Sequence, residues 1–182
     1  MKTLVLVFHP DLTASRANRR LAEEIKQQDN VTVHYVYQAY HDEKIDVAAE
    51  QRLMEAHDRI VLQFPFYWYS TPPLLKKWED DVLTYNWAYG STGNKLHGKE
   101  LLIAVTTGDT KESFLPEGAV KYSVLELLRP LQATSNIIGT RYLKPYILYG
   151  VGRLSDEELE QSAKDYVAYA LHPKLHLFDI DT

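Results

Sequence analysis

Three short segments carry the residue types that could do chemistry. The first is HPDLTASRAN, residues 9–18, which sets a histidine, two hydroxyls, an arginine and an asparagine ahead of a helical pattern. A helix N-terminus offers free backbone N–H groups and the positive end of aligned peptide dipoles, which suits a phosphate. Ser15 can add a hydroxyl donor, Arg16 a charge and Asn18 an amide, with Ala17 between them, and His9 can donate from its ring. The plainer alternative is that Thr13 or Ser15 simply caps the helix. The second segment is IVLQFPFYWYS, residues 60–70, an apolar run that breaks at Pro65 into Phe66, Tyr67, Trp68 and Tyr69. Four consecutive rings cannot share one face of a helix or strand, so some must reach a surface. A flat aromatic loop of this kind suits a flat heteroaromatic ligand. The third segment is Thr106, Thr107, Gly108 and Asp109, a small-residue turn whose backbone can approach a ring closely or can be no more than a turn.

These segments need a scaffold that brings them together, and the periodicity supplies one. Strands are expected over residues 3–8, 31–36, 59–64, 101–106 and 141–148, and helices over 13–28, 46–57, 72–84, 120–136 and 155–171. Ser70 and Thr71 are candidate caps ahead of Pro72 and Pro73, Pro130 must kink or divide the fourth helix, and Ser155 with Glu158 forms a capping box. The tail over 173–182 has no evident core role. Strands alternating with helices give an α/β fold, a five-stranded parallel sheet with helices on both faces, in one domain over 1–182. The three chemical segments then follow the first, third and fourth strands, on one edge of the sheet, where open α/β sheets bind ligands.

Composition excludes several classes. A net charge of −5 without a basic block argues against nucleic acid as a partner. The absence of cysteine removes thiolate catalysis and disulfides and fits a reducing cytoplasm. The N-terminal apolar run over 4–8 is too short for a signal sequence, and no stretch approaches the ~20 apolar residues of a membrane span. Residues 93–99 match G-x-x-x-x-G-K, but Glu100 stands where a phosphate loop needs Ser or Thr, and a strand follows instead of a helix. The seven histidines show no metal-binding spacing and there is no G-x-S-x-G elbow, so neither a metal centre nor a serine hydrolase is expected.

Taken in order and spacing, His9-Pro10, Ser15 to Asn18, the 66–69 loop and Thr106-Thr107-Gly108 resemble the flavodoxin-like NAD(P)H:quinone oxidoreductases. The likeness is strongest to the compact bacterial branch, with its general stress proteins and the ancillary subunits of potassium efflux systems. YSTPPLLKKWEDDVL (69–83), WAYG (87–90), LHGK (96–99) and LRPLQAT (128–134) support it, and it spans about residues 1–171. The resemblance implies the flavodoxin-like strand order 2-1-3-4-5, an FMN cofactor (FAD being possible), NADH or NADPH as donor, a quinone acceptor and a homodimer. It further implies that His9 and residues 15–18 hold the flavin phosphate, that residues 66–69 lie along the isoalloxazine and that residues 106–109 contact its edge. No side chain is singled out as catalytic, because the chemistry runs on the flavin.

Two positions depart from the family pattern. Asp109 stands where many relatives have a second glycine; pointing inward it would disfavour negative charge on a reduced flavin, so it is expected to face solvent. Phe114 falls where the larger animal enzymes carry a tyrosine, which leaves solvent as the expected proton source. Trp87, Tyr89 and Phe114 are expected near the site mouths of a dimer. Two function classes stay open: a ping-pong quinone reductase, and a flavin-bound regulatory subunit docking on a potassium efflux transporter, with Leu175, Leu177, Phe178 and Ile180 of the tail as a candidate interface.

Overall fold

Strands that are apolar on both faces need cover on both, and the order of elements provides it. The computed structural model describes residues 1–178. Along the chain run β1 (Thr3–Val7), α1 (Arg16–Ile25), β2 (Val31–Tyr35), α2 (Val36–Ala39), α3 (Val47–Glu55), β3 (Arg59–Pro65), α4 (Pro73–Val82) and β4 (Glu100–Thr106). A 3-10 turn (Lys111–Phe114), α5 (Val124–Leu127), α6 (Arg129–Ile137), β5 (Arg141–Tyr142), β6 (Tyr146–Leu148) and α7 (Asp156–Ala170) complete it. The sheet is parallel with order β2-β1-β3-β4-β5, and β6 also pairs with β4. Alternation along the strands divides the core. Leu4, Leu6, Ile60, Leu62 and Ile103 pack with Leu75, Trp78 and Leu131 on one face. Val5, Val7, Val61, Leu102 and Ala104 pack with Leu21, Ile25 and Tyr166 on the other.

The departures from the expected elements have local causes. The single fifth strand is two, because Pro145 has no N–H to give the ladder; β5 pairs with the start of β4 and β6 with its end. The helix expected from 120 begins at Val124, where Ser123 and Glu126 form a capping box, and Pro130 opens a separate helix at its first turn. Ser70 and Thr71 do not cap α4: the N-cap is Pro72, without a side-chain bond. The short helix α2 was not legible in the sequence, since four residues carry no periodicity. The tail, expected to have no core role, closes the sheet edge instead. Leu177 bridges Leu143 antiparallel, the Phe178 N–H donates to the Tyr142 carbonyl at 2.9 Å, and Leu175 and Phe178 pack against the two core clusters. Ile180 lies outside the described residues. Among the described residues no helix is long and apolar enough to cross a membrane.

Candidate functional site

The loop after β1 is held by its own polar side chains. The Asp11 N–H donates to His9 Nδ1 at 3.2 Å, so that nitrogen is unprotonated and the neutral ring carries its proton on Nε2. Burial also lowers the His9 pKa, which favours this neutral donor form. The exposed Asp11 carboxylate accepts from the Thr13 hydroxyl at 2.6 Å and the Ala14 N–H at 3.2 Å, and these bonds hold it below the usual carboxylate range. Ser15 is the N-cap of α1, its hydroxyl oxygen accepting from the Asn18 N–H at 3.2 Å. The N–H groups of Arg16 and Ala17 in the first turn have no intrahelical acceptor and are the donors available to an anion.

Arg16 itself is turned elsewhere. It donates to the Leu154 carbonyl at 2.7 Å and to Asp156 at 2.6 Å, fastening α1 to the start of α7. Ala17 is buried. Arg19, one helical turn beyond Ser15, donates to the Thr13 carbonyl at 3.0 Å and braces the loop from behind. It was missed in the sequence, although its i+4 spacing from Ser15 puts it on the same face.

The aromatic loop is a tight hairpin. Tyr67 and Ser70 exchange backbone bonds of 3.0 and 3.1 Å, and the central Trp68 and Tyr69 have φ of 46° and 61°. Two positive φ values in a two-residue hairpin define a type I′ turn, which normally selects Asn-Gly. Bulky aromatics there are strained, and strain of this kind gathers at functional sites. Trp68 is 92% exposed, while Tyr67 and Tyr69 are about 40%. The Phe66 N–H donates to the Thr106 carbonyl at 2.9 Å, which ties the hairpin to the end of β4.

That strand end is the opposite wall. Thr106 and Thr107 are buried, with the Thr107 hydroxyl donating to the Asp109 carbonyl at 2.8 Å, whereas Gly108 and Asp109 are exposed. A Cβ on Gly108 would meet no atom of the described residues within 4 Å, so a side chain there would enter open cleft. The cleft measures about 220 Å³ and is lined by Phe66, Trp68 and Tyr69 on one side and by residues 107–109 and Phe114 on the other. Phe114 packs on Tyr149 at 5.7 Å and brings no proton donor. Tyr67 does not line the cleft. Trp87 is tied to Glu55 at 2.7 Å, and Tyr89 lines a neighbouring groove instead. That groove, about 550 Å³ between α4 and α6, shares Phe66 with the cleft and is walled by Leu83, Leu131, Ile137 and Ile138.

Beneath the cleft a buried chain of hydrogen bonds joins the two strand ends to α1 and α7. Asn18 Nδ2 donates to Thr106 Oγ1 at 2.9 Å, Gln63 Nε2 to the Asn18 carbonyl at 2.8 Å, and the Tyr166 hydroxyl to Gln63 Oε1 at 3.2 Å. The Asn18 amide is therefore engaged inside the protein. Gln63 and Tyr166 were not singled out in the sequence; the signal was a glutamine inside the apolar run of β3 from Ile60 to Phe64.

A family model described as flavodoxin-like fold matches residues 1–170. The chain belongs to this family. General stress protein 14 of Bacillus subtilis is 56% identical over 173 residues, covering 95% of this chain and 99% of the relative. The glutathione-regulated potassium-efflux system ancillary protein KefF of Salmonella typhimurium is 42% identical over 163 residues, covering 90% and 92%. Among solved structures, the general stress protein 14 of Treponema denticola in complex with FMN is 42% identical with a TM-score of 0.88, covering 93% of this chain and 98% of that one. An NADPH-quinone reductase from P. pentosaceus is 36% identical with a TM-score of 0.86, covering 94% and 99%.

Proposed function

We propose that this chain is an FMN-dependent oxidoreductase that carries two electrons from NADH or NADPH to quinones by a ping-pong mechanism, as a cytoplasmic homodimer. The observation that carries the reading is the 2.9 Å bond from Asn18 to Thr106, which joins an anion-ready helix start to the edge of an aromatic cleft. A ligand with a phosphate at one end and a flat ring at the other fits that pair of sites. FMN-bound and quinone-reducing relatives at 42% and 36% identity support it.

In this reading FMN supplies the two-electron chemistry when bound. The first-turn N–H groups of α1 and the His9 Nε2–H hold its phosphate. Trp68 and Tyr69 wall the ring, and Gly108 leaves it room. Asp109 sits exposed on the rim, where water screens its charge. A second copy covering the α4–α6 groove would also border the cleft, because Phe66 lines both, and this supports the homodimer.

The test is to release the flavin by heat, identify it by chromatography and assay NAD(P)H-dependent quinone reduction. Bound FMN with activity is expected. A colourless protein that takes up neither FMN nor FAD overturns the reading, and FAD alone overturns the choice of FMN. The KefF relative supports a second reading, an ancillary role on a potassium efflux transporter. The tail is not its interface through Leu175 and Phe178, which pack inward. Co-purification of the native protein with such a transporter would favour this role.

A further inference from the structure

Gln63 lies on β3 with no exposure, on the apolar sheet face that Val61 and Ala104 present to α1 and α7. A buried amide is unfavourable unless both its ends are paired, and here both are. The Tyr166 hydroxyl gives its proton to Oε1, which turns Nε2 toward α1, where the Asn18 carbonyl lies at 2.8 Å and Asn18 Oδ1 at 3.4 Å. With its Oδ1 facing Gln63, Asn18 can direct only Nδ2 at Thr106, and it does so at 2.9 Å. The chain of donors runs in one direction, from Tyr166 through Gln63 and Asn18 to Thr106.

We propose that Gln63, oriented by Tyr166, is a positioning residue for FMN: it sets which way the Asn18 amide points and so locks the first turn of α1 to the ring-cleft edge at Thr106. The inference rests on the FMN reading of the site. Its physical content is preorganisation. The phosphate end and the ring end of the ligand are then held at a fixed separation before binding, which lowers the ordering that binding must accomplish. A leucine at 63 would fill the same apolar layer and need no partners, so core packing alone does not call for an amide there. The four residues come from α7, β3, α1 and β4, and they meet where two of the three cofactor loops begin.

The test measures FMN dissociation constants by flavin fluorescence quenching, with urea midpoints of the apoproteins alongside. Gln63→Leu is expected to raise the constant about tenfold and Tyr166→Phe about threefold, with only modestly lower apoprotein midpoints, since each change leaves one buried polar atom unanswered, the Tyr166 hydroxyl or Gln63 Oε1. In an Asn18→Ala background, Gln63→Leu should add less than about twofold, because its effect runs through Asn18. Tyr169→Phe, on the same helix but bonded to the Lys144 carbonyl at 2.7 Å, should leave affinity unchanged. Unchanged affinity in Gln63→Leu, or effects that add fully with Asn18→Ala, overturns the proposal. Should Gln63→Leu fail to fold, Tyr166→Phe, which removes one oxygen, decides alone. Wild-type protein that takes up no FMN overturns the cofactor reading and this inference with it; changes confined to the variants concern the positioning role only.

Discussion

At the scale of single residues, the strain at Trp68 invites a substitution that separates stability from function. Trp68 sits at φ 46° and is 92% exposed, so its ring gains little from burial while its backbone is held where a bulky residue is disfavoured. Trp68→Asn is expected to stabilise the protein by about 1 kcal/mol, because asparagine tolerates this conformation. The same change should lower quinone reductase turnover at least about tenfold at saturating flavin, since a ring that shifts loses its reactive geometry. Urea unfolding and steady-state rates on one preparation test both halves, and a variant that is less stable and fully active would contradict them. Ser15→Ala removes the cap of α1 and should cost about 1 kcal/mol of stability and weaken FMN retention. The types of these residues were legible in the sequence. Their states were not: a positive φ depends on the hairpin bond between Tyr67 and Ser70, and the turn of Arg16 toward Asp156 depends on an ion pair 140 positions away.

Among the elements, one buried carboxylate joins several. Glu50 of α3 has no exposure and accepts from His34 Nε2 of β2 at 2.8 Å, the Tyr40 hydroxyl at 2.7 Å and Trp78 Nε1 of α4 at 2.9 Å. Burial alone would push its pKa up, but the three donors and the nearby His34 outweigh it and hold the pKa below the ordinary 4.5. A lowered carboxylate pKa contributes stability that is present above the unfolded value and lost as pH falls through the folded one. The urea midpoint of the wild type should therefore drop below pH about 4.5, and the gap between it and Glu50→Gln should narrow over that window. Glu50→Ala, which leaves three donors unanswered, should cost about 3 kcal/mol near neutral pH. A gap that does not change with pH would show that Glu50 is not charged in the folded protein. The alternation of strands and helices was readable because their periods differ, while the sheet order came from the family resemblance and matches the observed one. The divided fifth strand and fourth helix turn on where Pro145 and the Ser123–Glu126 box fall, which average patterning passes over. Glu50 was hidden for a related reason: its partners lie on β2, just past α2 and on α4.

For the whole molecule, the sequence pointed to the sheet edge where the three loops meet, because that follows from strand order. It gave no view of the α4–α6 groove, which forms only when residues far apart in the chain pack. If a second copy covers that groove, Ile137→Glu should yield a monomer in light scattering at micromolar concentration with lower turnover, since a charge at the end of α6 cannot be buried there. A wild-type monomer with full activity would remove the dimer from the account. The shape of the cleft also constrains the kinetics. Its volume of about 220 Å³ is below the roughly 300–1000 Å³ of sites that enclose a drug-sized ligand. If a flavin ring sat between the hairpin and Gly108 with one outward face open, the nicotinamide and the quinone would use that face in turn, and the oxidised nicotinamide would leave before the quinone entered. Initial rates measured against NAD(P)H at several fixed quinone concentrations should then give parallel double-reciprocal lines. Intersecting lines would mean that both substrates are bound together, and the shared face would have to be abandoned even if FMN and the dimer stand.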